Sequence, residues 1–261
     1  MTTSQPISQP TSQPISQPTS IIKFLSNKNV FVFDTETTGL PAKSQKWGSY
    51  WDYSMNDKYD SSRIVSIAWS LINNFDKDNI NCDAIEHYIR YPEGFTSIPS
   101  EHIHGISFQN ALTHGIPLGI ILANNGLGKA ILESDYIVAH NVGFDYHVLM
   151  NELYRIIVNT DSQVSALVPV PISDTTRELA NKCILHLLYL NKNGKIICTG
   201  ELTTPICKMS FPTKSNYLGN KINYKMPKLC ELYRFFYGVD FENAHQANGD
   251  VKALLEIMRK L

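Results

Sequence analysis

The segment FVFDTETTGL, residues 31 to 40, constrains this chain more than any other. Apolar and aromatic residues lead straight into Asp34, with Glu36 two positions on and Thr37, Thr38 and Gly39 behind it. Residues 29 to 35 read as a strand of nearly continuous apolar character, the kind that is buried on both faces of a sheet. Side chains alternate along a strand, so Asp34 and Glu36 share one face. Two like charges so close repel and push a carboxyl pKa upward. A divalent cation relieves that repulsion, because hard oxygen ligands suit Mg²⁺ or Mn²⁺. Taken alone, the triplet also reads as a solvated strand end with ordinary surface acids, which is what most D-x-E triplets are.

The rest of the chain sets the context. Its 261 residues, 43% of them hydrophobic, suit one globular domain with a sizeable core. The formal net charge of -1 announces no basic field. Setting aside four acids as cation ligands leaves 20 of the 24 against 23 basic residues, so a polyanionic substrate is permitted but not demanded. The five cysteines form no C-x-x-C pair and are odd in number, which reads as reduced, intracellular thiols rather than a disulfide framework or a zinc knuckle. No apolar run approaches the length of a membrane span, so a soluble protein is expected. Residues 1 to 20 hold an eight-residue SQPI/SQPT unit stated twice from Ser4 to Ser20. Uncharged, without aromatics and regular in proline, that tail is expected to be disordered, with some polyproline II character. The folded domain is expected over residues 21 to 261.

Within it, Ser62 to Leu71 reads as a β-branched strand turning at Asn73 and Asn74, and Ala84 to Arg90 as a third strand, which makes an antiparallel meander. Helical spacing covers residues 117 to 132. A short apolar strand spans Tyr136 to Ala139, and Asn141 is placed to cap a helix running to about Ile157. Asn193-Gly194, within Leu188 to Ile197, reads as a hairpin turn. Lys228 to Tyr237 reads as an amphipathic helix ended by Gly238, and Asn248 to Leu261 as a last helix. The fold class is therefore α/β, a mixed sheet flanked by helices.

Two further acidic sites accompany the first. In IVAHNVGFDYHVL a strand turns into a helix that carries Asp145 in its first turns; in HQANGDVKAL, His245 precedes Asp250 by five residues at the start of the final helix. A strand end, an early helix turn and a helix start can converge at one edge of a sheet.

These segments together resemble the DEDDh-type, DnaQ-like 3′–5′ exonucleases of the ribonuclease-H-like superfamily. FDTETTGL is similar to their first motif, AHNVGFD to the second and HQANGDVKAL to the third. EHIHGIS at residues 101 to 107 and Asp174-Thr175 are similar to two minor elements, and the likeness runs from about Asn29 to Leu261 in the family's order. It implies a ribonuclease-H-like, five-stranded mixed sheet. It also implies two Mg²⁺ or Mn²⁺ ions, one ligated directly by Asp34, Glu36 and Asp250, with Asp34 bridging to the second and Asp145 acting mainly through metal-bound water. His245 is the implied general base, since imidazole titrates near neutrality. The tyrosine subtype has its tyrosine four residues before the last aspartate, where this chain has Gln246.

By the same resemblance Thr35, Thr37 and Thr38 hold the terminal nucleotide, while Leu40, Ile103 and Phe144 pack on its base or wedge between the last two bases. For Ile103 and Phe144, plain core packing is an equal alternative. His102, His104, His140 and His147 are expected to serve packing or surface roles, because the hard cations already have their oxygens. Two stretches, near 41–61 and 188–226, are longer than a minimal relative needs. Aromatics at Trp47, Tyr50, Trp51, Tyr53 and Tyr59 offer either stacking platforms for single-stranded bases or a lid folded on its own apolar cluster.

The expected activity is metal-dependent release of nucleoside 5′-monophosphates from single-stranded or frayed DNA or RNA 3′ ends. The expected partners are nucleic acid and, for proofreading, a polymerase or another replication or repair protein. The alternative is a non-catalytic nucleic-acid-binding or polymerase accessory protein that retains the fold.

Overall fold

Strand β1, Val30–Thr37, is the axis on which the molecule is assembled. The structure, a computed structural model, describes residues 21–44, 49–158, 172–211, 217–218 and 221–261. The tail at residues 1 to 20 and Trp47 lie outside them. β2, Ile64–Ile72, runs antiparallel to β1 along its whole length, from Val30 opposite Ile72 to Glu36 opposite Ser66. β3, Glu86–Ile89, lies antiparallel on the far side of β2. β4, Tyr136–Ala139, pairs parallel with Val30, Phe31 and Val32 only, and β5, Ile196–Cys198, extends the sheet parallel to β4. The order is β3-β2-β1-β4-β5, a mixed five-stranded sheet made of an antiparallel meander and parallel strands.

The period of two along β1 assigns its side chains to two cores. Phe31 and Phe33 are buried with residues of α3 (Leu118–Asn124), α4 (Leu127–Glu133), α5 (Val142–Val158) and α6 (Asp174–Lys192). Val30 and Val32 are buried against α8 (Leu229–Tyr237) and α9 (Ala247–Lys260) on the other face. Burying side chains of this size contributes roughly 1.5–3 kcal/mol each. Both faces of the strand are covered, as its unbroken apolar character requires. Two short helices, α1 (Glu101–His104) and α2 (Phe108–His114), follow β3, and α7 (Thr199–Cys207) follows β5. Among the described residues no helix is long and apolar enough to cross a membrane.

Four local expectations are corrected. The helical spacing over 117 to 132 is divided into α3 and α4, because Gly126 takes φ +91°, a conformation that breaks a helix and suits glycine. Asn141 has φ +61°, so it is not an extended capping residue; its carbonyl accepts from the Phe144 N–H at 3.0 Å as the chain turns into α5. Asn193-Gly194 is not a hairpin turn. It closes the C-terminal end of α6, with Gly194 at φ +63°, and β5 then pairs parallel to β4. Leu190, inside the stretch read as that hairpin, is a core position of α6. The stretch 188–226 thus begins inside α6 and contains the fifth strand of the sheet.

α5 is tied to the start of β2 by a buried ion cluster. Arg63 donates to both carboxylate oxygens of Glu152 at 2.9 and 3.0 Å, Arg90 donates at 2.6 Å, and the Ile64 N–H adds a bond at 2.9 Å. Arg63, Arg90 and Glu152 are each only 1% exposed. Burial alone would raise the Glu152 pKa, but the two guanidinium groups outweigh it and hold the carboxyl down at about 2.

Candidate active site

Asp34 and Glu36 continue the face of Val30 and Val32, so they point toward α9. Asp250 stands in the first turn of α9, and one oxygen from each of Asp34, Glu36 and Asp250 lies within 4.8 Å of the others. Asp145 arrives from the opposite face. β1 runs five residues, Phe33 to Thr37, beyond its pairing with β4, and the first turn of α5 lies beside this extension. There the Thr35 backbone N–H and hydroxyl donate to the same oxygen of Asp145, at 3.0 and 2.7 Å. Asp145 is 3% exposed, while Asp34, Glu36 and Asp250 are half-buried.

The electrostatics of this cluster are unfavourable without a counter-charge. Burial, then Asp145, Asp250 and Glu36, push the Asp34 carboxyl well above the usual carboxylate range. Burial with Asp250 and Asp145 pushes Glu36 up to about 8. Burial also raises Asp145, against the pull of its Thr35 hydrogen bonds, and raises Asp250 against the pull of the His245 N–H. Among the described residues no lysine or arginine forms an ion pair with any of the four. Crowded oxygen donors that lack an organic cation fit a hard divalent ion.

His245 sits on the loop before α9. Its backbone N–H donates to Asp250 at 3.3 Å, its φ is +64°, and its side chain is exposed. The loop packs tightly on the helix at Gly249, where a Cβ would stand 2.3 Å from the Asn243 carbonyl oxygen. Glycine is the only residue that allows this approach.

The remaining candidates fall into two groups. Thr35, Thr37 and Thr38 are buried, and their hydroxyls donate to Asp145, the Gly39 carbonyl and the Ser61 carbonyl. Their hydroxyl protons are already committed, as are the backbone N–H groups of Thr35 and Thr38, so what they offer a ligand is acceptor lone pairs. Leu40 and Ile103, in contrast, are 74% and 53% exposed. Ile103 belongs to α1, which the Ser100 hydroxyl fastens to the Thr37 carbonyl at the end of β1. Phe144 is half-buried and packs against the larger core. Ser100 was not singled out by sequence reasoning; its one signal is a serine directly before the EHIHG turn.

The four histidines assigned packing or surface roles have partners of their own. His104 meets Ser100 and the Ile106 N–H, His140 meets Thr199 and the Pro227 carbonyl, and His147 donates to the Gly143 carbonyl. His102 meets the Pro99 carbonyl.

No protein-family model matches this chain, and no curated protein matches it. Solved structures do. The structure of SSB/exonuclease I in complex with the inhibitor CFAM is 14% identical at a TM-score of 0.52, with 89% of this chain and 41% of that one covered. A moderately thermophilic exonuclease I from Methylocaldum szegediense is 14% identical at 0.51, with 89% and 40% covered. An apo exonuclease I is 15% identical at 0.50, with 89% and 41% covered. The chain therefore spans about two fifths of the length of these chains. The likeness shows the fold, an α/β arrangement of ribonuclease-H-like type shared with exonuclease I.

Proposed function

We propose that this chain is a metal-dependent 3′–5′ exonuclease that releases nucleoside 5′-monophosphates from single-stranded or frayed nucleic-acid ends. One observation carries the reading: three separate elements, β1, α5 and α9, bring Asp34, Glu36, Asp145 and Asp250 together, and among the described residues no lysine or arginine pairs with them. The fold shared with exonuclease I supports it.

Asp34, Glu36 and Asp250 would hold Mg²⁺ or Mn²⁺, and Asp145, one oxygen occupied by Thr35, has its second oxygen to contribute. What such ions supply when bound is positive charge, which acidifies water and offsets the charge on the leaving 3′-oxygen. His245, pinned by its N–H at the rim of the acid cluster, takes the proton from the attacking water. Leu40 and Ile103 present apolar side chains to solvent beside the end of β1, suited to separating the last two bases of a strand. Proofreading would require a polymerase as partner.

The test uses oligonucleotides labelled at the 5′ end, as single- and double-stranded DNA and RNA, with Mg²⁺ or Mn²⁺. A ladder shortening one nucleotide at a time from the 3′ end, abolished by EDTA, is the expected result. Intact substrate in every metal overturns the reading.

A further inference from the structure

The described aromatic residues of the stretch near 41–61 divide into those that hold it in place and one that does not. Trp51 and Tyr53 pack against the larger core, and Tyr59 is fully buried with its hydroxyl donating to the Trp51 carbonyl at 2.6 Å. α5 grips the same stretch from below. Asn151 donates to the Tyr53 carbonyl and to Asn56 at 2.7 and 2.9 Å, and Arg155 donates to the Asn56 carbonyl and to Asp60 at 2.6 Å each. These residues are structural.

Tyr50 is placed differently. Its ring stacks on His147 with centroids 4.5 Å apart and planes 15° from parallel. His147 is itself fixed by its bond to the Gly143 carbonyl at 2.7 Å. The phenol lies over Gly143, where a Cβ would come within 3.2 Å of Cε2 and 3.9 Å of the hydroxyl oxygen. Gly143 is two residues before Asp145 in the first turn of α5, and Asp145 acts on the phenol through space, so the ring lies near the acid cluster. The hydroxyl makes no hydrogen bond with any described residue, and Tyr50 is only half-buried. Burial, then Asp145 and Cys198, push the phenol pKa up, which keeps the proton on the oxygen at neutral pH. A protonated phenol is a donor that adds no charge to a site already crowded with carboxylates, and a phosphodiester oxygen is the acceptor such a site must receive.

We propose that Tyr50 is a substrate-positioning residue whose hydroxyl donates to a non-bridging oxygen of the 3′-terminal phosphodiester as the strand end passes the first turn of α5. This rests on the exonuclease reading of the acid cluster. It assigns to one residue of the 41–61 stretch a role in orienting the reacting group rather than in stacking on bases.

The experiment compares the full-length chain with Tyr50→Phe, Tyr50→Ala and Gly143→Ala. A 5′-fluorescent 15-mer is measured for binding in Ca²⁺ and for turnover in Mg²⁺ or Mn²⁺. Its last linkage is either all-oxygen or one of the two phosphorothioate diastereomers. Tyr50→Phe should melt as the wild type does, yet lose about tenfold or more in affinity and in kcat/KM, the worth of a hydrogen bond to a charged group. It should also lose part of the wild-type discrimination against one diastereomer, which a purely structural ring would not affect. Gly143→Ala, which lifts the ring, should resemble Tyr50→Ala. The proposal is overturned if Tyr50→Phe matches the wild type on all three linkages, or if only Tyr50→Ala is impaired and its melting temperature falls with it. If the wild type shortens no strand, the exonuclease reading fails, and binding alone still decides Tyr50: equal affinity of wild type and Tyr50→Phe, or no binding by either, overturns it.

Discussion

Thr35 delivers its backbone N–H and its hydroxyl to one oxygen of Asp145, locking β1 to α5 where the strand outruns its neighbour. The bond is buried, so water cannot replace a lost donor. Thr35→Val should therefore cost about 1–3 kcal/mol in a urea titration and lower the rate as Asp145 loses its orientation. Thr35→Ser should recover most of both. A valine variant as stable and as active as the wild type would show that the bond holds nothing in place.

Asp34→Asn removes the carboxyl that burial and three acidic neighbours most disfavour in charged form. The metal-free variant should melt at or above the wild-type temperature, because repulsion is relieved. It should also lose both turnover and the rise in melting temperature expected of the wild type with Mn²⁺. Thermal melts with and without Mn²⁺ check both halves, and an active Asn variant would refute the ligand assignment.

His245→Ala should separate proton transfer from metal binding. No ligand is removed, so stabilisation by Mn²⁺ should persist while the rate falls on the order of 10² to 10⁴. Asp250→Asn should lower both together, with partial recovery at high Mn²⁺. A rate for His245→Ala within a few-fold of the wild type would mean that another group takes the proton.

Glu152 sets a pH dependence far from the acid cluster. Its folded pKa of about 2 lies below the ordinary 4.5. The stability it contributes is therefore present above pH 4.5 and is lost as pH falls toward 2. Glu152→Gln should destabilise the protein by roughly 3–5 kcal/mol at neutral pH, since two arginines are left buried without their partner. It should also flatten the acid limb of the stability curve. Urea titrations at pH 7, 4.5 and 3 read both effects, and parallel curves for variant and wild type would contradict the assignment.

Much of this architecture is legible from local pattern. The β-branched run of β2, the unbroken apolar run of β1 and Gly238 behind α8 each carry a signal within a few residues. Asp34 and Glu36 share a face because strand geometry demands it, and Asp250 opens a helix with a clear apolar stripe. α6 is harder to see. Its first half, DTTRELANK, is polar apart from Leu179 and Ala180, and its apolar second half ends in a dipeptide that also suits a hairpin. β5 is three residues long, too short to show any period, and only its pairing with β4 defines it. The distinction between Tyr50 and its aromatic neighbours depends on which part of α5 each one meets, so no local pattern could reveal it.

α5 carries one acid of the candidate site and the anchors of residues 53 to 63 on one beam. Asp145 lies in its first turn, and Asn151, Glu152 and Arg155 hold residues 53 to 63 from turns further along. At a rise of 1.5 Å per residue, the acid and the last of these anchors stand about 15 Å apart on a single rigid rod. The segment cannot detach at its anchors without breaking bonds that also fix the helix, so segment and helix form one cooperative unit. In hydrogen exchange, the amides of α5 and those of residues 53 to 63 should open together, with a shared free energy, rather than the segment fraying first like an ordinary surface loop.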